Sequence, residues 1–341
     1  MFNPQFIYTN KMVNYLLKIY SMRDFIANAP LVMNTKITLQ RDALLKNVHH
    51  STAIEGNILS LTEVKEISRG HELSAHKKAK QEVLNYLKVL KNLDKYHENG
   101  EINEKSLLKL FGDITYHTLD YAYFDVGYRT VPVNVVNNLN EVVFSPPPPD
   151  EIKALMDNLI KWINTSDDLN PIIKTGIAHF ELVRIHPFVD GNGRTARALV
   201  TLMLYLDKFG VSQYFAMDEY YNQDRSAYYD ALNSVNLDLI DLTPWLEYYL
   251  EGILYSISKV EDQIILSEPA ENGKKIRLTD RQMKIMEYIH LNGSISNREV
   301  QKLFGISRQG AYKYLNKLVN QELLEKKGGS RSTYYVLLSN K

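Results

Sequence analysis

The chain contains no cysteine. This excludes disulfides, thiolate zinc sites and a cysteine nucleophile, and it fits a reducing compartment. Net charge is also missing: 40 basic and 40 acidic residues cancel over 341 positions, so whole-chain electrostatics single out no partner. There is no long hydrophobic run. The most apolar stretch, Ala198 to Leu206, is too short to cross a bilayer and is interrupted by Thr201. The opening MFNPQFIYTNK lacks the basic-then-apolar order of a signal peptide. Repeats and low-complexity tracts are absent as well. The expectation is a cytoplasmic protein without a membrane partner.

What is present is ordinary for a globular protein, with 45% hydrophobic and 23% charged residues. The length allows two or three domains and a sizeable core. Charge is unevenly placed. Lys274 to Lys341 holds 14 Lys and Arg against 5 Asp and Glu, which marks a basic C-terminal module on a mildly acidic body. Most of the first 265 residues carry helical periodicity, as in QEVLNYLKVLKNLDKY. Arg129 to Phe144 alternates instead, is rich in β-branched residues and turns at Asn137–Asn140, so it reads as a hairpin. SEPAENGKK reads as a linker, and LLEKKGGSRSTYYVL as a second hairpin. The expected layout is a mainly α chain: a helical segment over 1–37, a main helical domain over 38–265, a linker over 266–276 and a small α+β domain over 277–341.

The densest chemistry is HPFVDGNGRTAR, residues 186–197. Turn-forming residues and a packed histidine would account for it blandly. The functional reading is an anion cradle. Gly191 and Gly193 let backbone approach a phosphate, the N–H groups opening the next helix point at it, and Arg194 and Arg197 share one helix face. Asp190 can hold Mg²⁺, and His186 can act as a general base near neutral pH. The formal dinucleotide fingerprint Gly191-x-Gly193-x-x-Ala196 fails, because a helical rather than a strand pattern precedes it. A second local oddity lies in LLKNVHHSTAIEGNILS. Its periodicity predicts a short helix over about 42–56, ended by Gly56. Glu55 then sits at the negative end of the helix dipole with no basic residue three or four positions before it. It needs a positive partner from elsewhere.

HPFVDGNGRTAR resembles the Fic family at every defined position of the His-x-Phe-x-Asp/Glu-Gly-Asn-Gly-Arg-x-x-Arg signature, and the likeness extends over roughly residues 40–245. The resemblance implies a Fic-fold helical bundle with a β-hairpin flap and a protein adenylyltransferase, with ATP as substrate and Mg²⁺ as cofactor. It assigns His186 as base and Asp190 as metal ligand, with Gly191, Asn192, Gly193, Arg194 and Arg197 on the phosphates. Val133 and Val136 would line the nucleotide, and Tyr228, Tyr229 and Asn236 would form the adenine pocket; core packing is the alternative for the tyrosines. His179 is expected to be structural. STAIEG fits the family's inhibitory motif, with Ser51 and Glu55 in register and Glu55 paired to Arg197. A net AMP-removing phosphodiesterase and a nucleotide-sensing transcriptional regulator remain open alternatives. The implied partners are a protein hydroxyl, that of the chain itself included, and a second copy of the chain.

The last 65 or so residues resemble a winged helix-turn-helix. Gly305-Ile306-Ser307 makes the turn, Ser307 caps the second helix, and Ala311, Leu315 and Leu318 form its inner stripe. Arg308, Gln309, Tyr312 and Lys313 are left outward, beside a basic wing from Lys326 to Arg331. DNA contact is one reading, and dimerisation or target capture the other.

Overall fold

The structure is a computed structural model describing residues 2–31, 33–71, 76–119, 127–136, 141–166, 168–235, 241–266, 278–329 and 332–338. The hairpin turn at Asn137–Asn140, Asn236, nearly all of the expected linker, and Ser330 and Arg331 of the wing lie outside these residues.

One helix organises the main body. Helix α7 (Pro171–Ile185) starts on Asn170, whose side chain accepts the Ile172 N–H, and has proline in its first turn. It is apolar on almost every side and divides two cores. Ile172, Ile173, Ile177 and Phe180 face one; Ala178, Leu182 and Ile185 face the other. Each fully buried aliphatic side chain contributes about 1.5–3 kcal/mol relative to exposure, so both cores hold α7 in place.

The first core is closed by α1 (Asn10–Asn28) and α11 (Thr243–Leu266). Thr9 caps α1, which buries Met12, Ile19 and Ile26 in the cluster it shares with α11. The approach of α11 to α7 depends on Gly176. A Cβ there would stand 2.8 Å from the Tyr249 ring and 2.9 Å from Leu246, and Trp245 Nε1 donates to the Gly176 carbonyl at 2.8 Å. The second core collects α2 (Met33–Ile54), α4 (Lys77–Leu90), α5 (Glu104–Thr115), α6 (Pro149–Thr165) and α8 (Asn192–Leu206). The hairpin is a two-stranded antiparallel ribbon of β1 (Val135–Val136) and β2 (Val142–Phe144), with a register shift between Val135 and Val136.

Two helices depart from their expected bounds. The helix that precedes Glu55 starts at residue 33 rather than about 42. Its early turns gain tertiary support, because Ile37 is buried in the core of the C-terminal domain. Helix α8, whose helical periodicity in the sequence runs from Thr195 to Phe209, starts earlier, at Asn192, since Gly191 adopts φ +82° and turns the chain directly into it.

The C-terminal domain comprises α12 (Asp280–Asn292), β3 (Ile295–Ser296), α13 (Asn297–Phe304), α14 (Arg308–Asn320), β4 (Leu324–Lys327) and β5 (Tyr334–Leu337), with antiparallel strand order β3-β5-β4. Gly305 turns α13 into α14 at φ +62°, and Ser307 caps α14 by accepting the Gly310 N–H. Ala311, Leu315 and Leu318 are buried, and Arg308, Gln309, Tyr312 and Lys313 are exposed.

Candidate active site

The loop between α7 and α8 is shaped by its own residues. Asn192 turns its side chain back on the loop: Oδ1 accepts the Phe188 N–H at 2.9 Å and Nδ2 donates to the Phe188 carbonyl at 2.8 Å. Phe188 in turn lies flat on Phe111 of α5, ring centroids 3.7 Å apart. This departs from the expected use of Asn192 on phosphate. Its amide closes the loop, and its backbone N–H is what faces outward at the start of α8, where first-turn donors lack intrahelical acceptors. Gly191 is required in the same turn, because a Cβ there would stand 2.8 Å from Thr115.

His186 ends α7 at φ +50°, its N–H bonded to the Leu182 carbonyl. Ring Nδ1 lies 3.2 Å from the Val183 carbonyl. A proton on Nδ1 is donated there, which leaves Nε2 as the lone-pair nitrogen. Burial pushes the imidazole pKa below its ordinary value, with the Val183 bond and the Glu55 charge opposing. Arg129, at the foot of the hairpin, fixes this end of the loop. It is 4% exposed, and its guanidinium donates to the carbonyls of His186, Val131 and Pro147 at 2.8, 3.0 and 2.6 Å. One cation thus ties the segments flanking the hairpin to the end of α7.

Arg194 and Arg197 lie side by side on α8, each 2% exposed. Arg194 has only distant charges nearby, Glu82 at 3.8 Å and Asp190 at 3.6 Å, and its Nε and Nη1 are buried without a hydrogen-bond partner. Arg197 is better held. Its Nε donates to Ser51 Oγ at 2.8 Å, and its Nη2 to the Ser51 carbonyl at 2.9 Å and Glu55 Oε1 at 2.8 Å. Its Nη1 is unpartnered. A Cβ on Gly193 would overlap Glu55 Oε1 and stand 3.0 Å from that Nη1. The Glu55 carboxylate therefore rests directly over the opening of α8, where an incoming anion would sit. Burial alone would raise its pKa, but Arg197 and Arg194 override this and hold it below the ordinary carboxylate value.

Local chemistry explains why Glu55 can reach this place. Helix α2 ends at Ile54, and Gly56 at φ +90° reverses the chain, with its N–H on the Ala53 carbonyl. Glu55 is thereby one residue past the helix rather than in its last turn, and a quarter of its side chain stays exposed. Asp190, at the rim, is half exposed and accepts the Gly191 N–H. Among the described residues no group of three or more His, Asp or Glu gathers to hold a metal.

The remaining predicted residues divide. Tyr228 is 2% exposed in the core, its hydroxyl 2.9 Å from His179 Nε2; burial places it with the packing alternative rather than in an open pocket. His179 is structural, 1% exposed, with burial pushing its pKa down to about 3. Tyr229 is 42% exposed. Val133 precedes β1 and Val136 lies within it. Sequence reasoning missed Asp218, which lies in the first turn of α9 (Met217–Gln223) with Oδ2 3.9 Å from Arg197 Nε. An acid inside the apolar and aromatic run FAMDEYY was the signal available.

Comparison with known proteins bears on the family and the fold. Residues 101–204 match the Fic/DOC family, and residues 278–325 match a winged helix-turn-helix DNA-binding family. A protein adenylyltransferase Fic of Nematostella vectensis is 31% identical over 222 residues, covering 61% of this chain and 46% of that protein. One of Drosophila willistoni is 27% identical over 275 residues, covering 75% and 51%. The chain spans about half the length of these relatives. A Fic family protein from Desulfovibrio desulfuricans G20 shares the fold from end to end, with a TM-score of 0.68 at 23% identity, covering 100% of this chain and 99% of that one. Fic-1 from C. elegans gives a TM-score of 0.62 at 25% identity, covering 75% and 74%. No helix among the described residues is long and apolar enough to cross a membrane.

Proposed function

We propose that this protein, a Fic domain followed by a winged helix, is a protein adenylyltransferase held inactive by its own Glu55. It moves AMP from ATP to a Ser, Thr or Tyr hydroxyl of a protein target, the chain itself included. The observation that carries this reading is the Glu55 carboxylate seated on the opening of α8, beside buried guanidinium donors that lack partners. A site that accepts one internal anion and still has unpaired donors is built for a larger one.

His186 Nε2 takes the proton of the target hydroxyl. That oxygen forms a bond to the α-phosphorus, and the bond from the α-phosphorus to the departing pyrophosphate breaks. The N–H groups at the start of α8, Gly191 to Gly193, hold phosphate oxygens. Arg194 receives the charge that develops on pyrophosphate, and Arg197 orients the γ-phosphate once Glu55 withdraws. Asp190 would hold Mg²⁺, whose charge offsets that of the phosphates. Tyr229, with Val133 and Val136 of the flap, is the surface left for the nucleoside. Val131, Val142 and Val143 are exposed on the flap, and a two-stranded ribbon can pair with an extended target segment through its backbone.

The Glu55–Arg197 contact is a charge-assisted bond, worth roughly 1.5–3 kcal/mol. Glu55→Gly is accordingly expected to raise labelling of protein by ATP carrying label on the α-phosphate at least tenfold, and His186→Ala is expected to abolish that label. Retention of label from the γ-phosphate would instead mean phosphoryl transfer, and no protein label from either position would sink the proposal. The winged helix supports a contact with duplex nucleic acid through the exposed face of α14.

A further inference from the structure

Arg197 has two acidic neighbours, and they differ in kind. Glu55 lies beyond the end of α2 with a quarter of its side chain exposed, so rotation of one side chain releases it. Asp218 is 6% exposed and belongs to a helix packed into the core. It cannot withdraw in that way.

Asp218 Oδ2 lies 3.9 Å from Arg197 Nε, the same nitrogen that donates to Ser51 Oγ. A hydroxyl has one proton to donate and two lone pairs to accept with. Ser51 Oγ accepts from Arg197 Nε at 2.8 Å, so its own proton is available to the Asp218 carboxylate. Burial pushes the Asp218 carboxyl up to about 6 even against the Arg197 charge and the Ser51 bond, which both pull it down. Behind the pair lies a cavity of about 20 Å³, bordered by Asn47, His179, Thr201 and Tyr221, large enough for one water. The guanidinium is thus divided by direction. Nε faces Ser51 and Asp218, Nη2 is shared between the Ser51 carbonyl and Glu55, and Nη1 is left toward Gly193.

We infer that Asp218 is a positioning residue for Arg197, acting through the Ser51 hydroxyl, and that these two residues keep the guanidinium aimed at the phosphate cradle whether or not Glu55 is paired with it. Ser51, although it lies in the inhibitory stretch, then belongs to the support of Arg197 and not to the lock. A buried guanidinium stripped of both acids would lose its compensating charge; Asp218 prevents that when Glu55 leaves. The inference rests on the adenylyltransferase reading, in which Arg197 meets the γ-phosphate of ATP.

The test uses the full chain with Glu55→Gly, with and without Asp218→Asn, and measures ATP and ADP binding by titration calorimetry. Asn preserves the shape of Asp218 and removes its charge. The Kd for ATP is expected to rise about tenfold, while that for ADP, which has no γ-phosphate, stays within about twofold. Ser51→Ala in the same background, checked for native folding by circular dichroism, is expected to act in the same direction, and Ser51→Ala alone is expected to leave labelling at or below that of the unaltered protein. An unchanged ATP affinity, or equal losses for ATP and ADP, would overturn the role of Asp218 while the nucleotide site stood. Failure of the Glu55→Gly protein to bind ADP at all would overturn the adenylyltransferase reading and this inference with it.

Discussion

His186 shows how much of a catalytic group is set one residue at a time. Its place at the end of α7 and its Nδ1 contact with Val183 leave Nε2 as the basic nitrogen. A general base works only when neutral, and burial holds this imidazole below its ordinary value of 6.5. Its half-protonation point therefore lies below pH 6.5. The Glu55 charge opposes the downward shift, so its removal lowers the pKa further. In the Glu55→Gly protein the initial rate of labelling is expected to fall on the acid side with a midpoint below pH 6.5. A rate profile whose acidic limb lay above pH 7 would show that burial does not govern this histidine. The candidate base was legible from HPFVDGNGRTAR. The direction of its shift was not, because it depends on how tightly the neighbouring residues exclude water. Tyr228 teaches the same lesson from the other side: its ring chemistry suited a nucleobase, and its burial turned it to packing instead.

At the scale of the element, α2 joins two distant places. Ile37 lies in the core of the winged helix and Ser51 touches Arg197, about 21 Å apart along the axis at 1.5 Å per residue. The C-terminal half of this helix, with Glu55 after it, was readable from the spacing of Leu44, Leu45 and Val48 and from Gly56. The N-terminal half was not, since the apolar partners of Ile37 lie in the last sixty-odd residues of the chain. Ile37→Ala is expected to lower stability by about 2–5 kcal/mol, the usual cost of emptying a core site, as measured by chemical denaturation of the full chain. A loss below about 0.5 kcal/mol would mean that the winged helix closes its core without α2.

At the scale of the molecule, a neutral chain hides a basic end. Arg308, Lys313, Lys326 and Lys327 are exposed on α14 and β4. If four such cations each neutralise one phosphate of duplex DNA, the logarithm of affinity should fall with the logarithm of salt at a slope of roughly −3 to −4. Lys313→Ala should reduce that slope by about 1. A flat salt profile, or no binding, would assign this face to protein capture. What the sequence determined by itself is the anion cradle, because its shape arises among neighbours: Gly191 turns the chain, Asn192 bonds back to Phe188, and the donors follow at the start of α8. What only the tertiary structure decided is the second acid beside Arg197. Asp218 comes from a segment far along the chain from Ser51 and Glu55, and the two meet because two cores pack around α7; contacts across such distances leave no periodic trace in the chain.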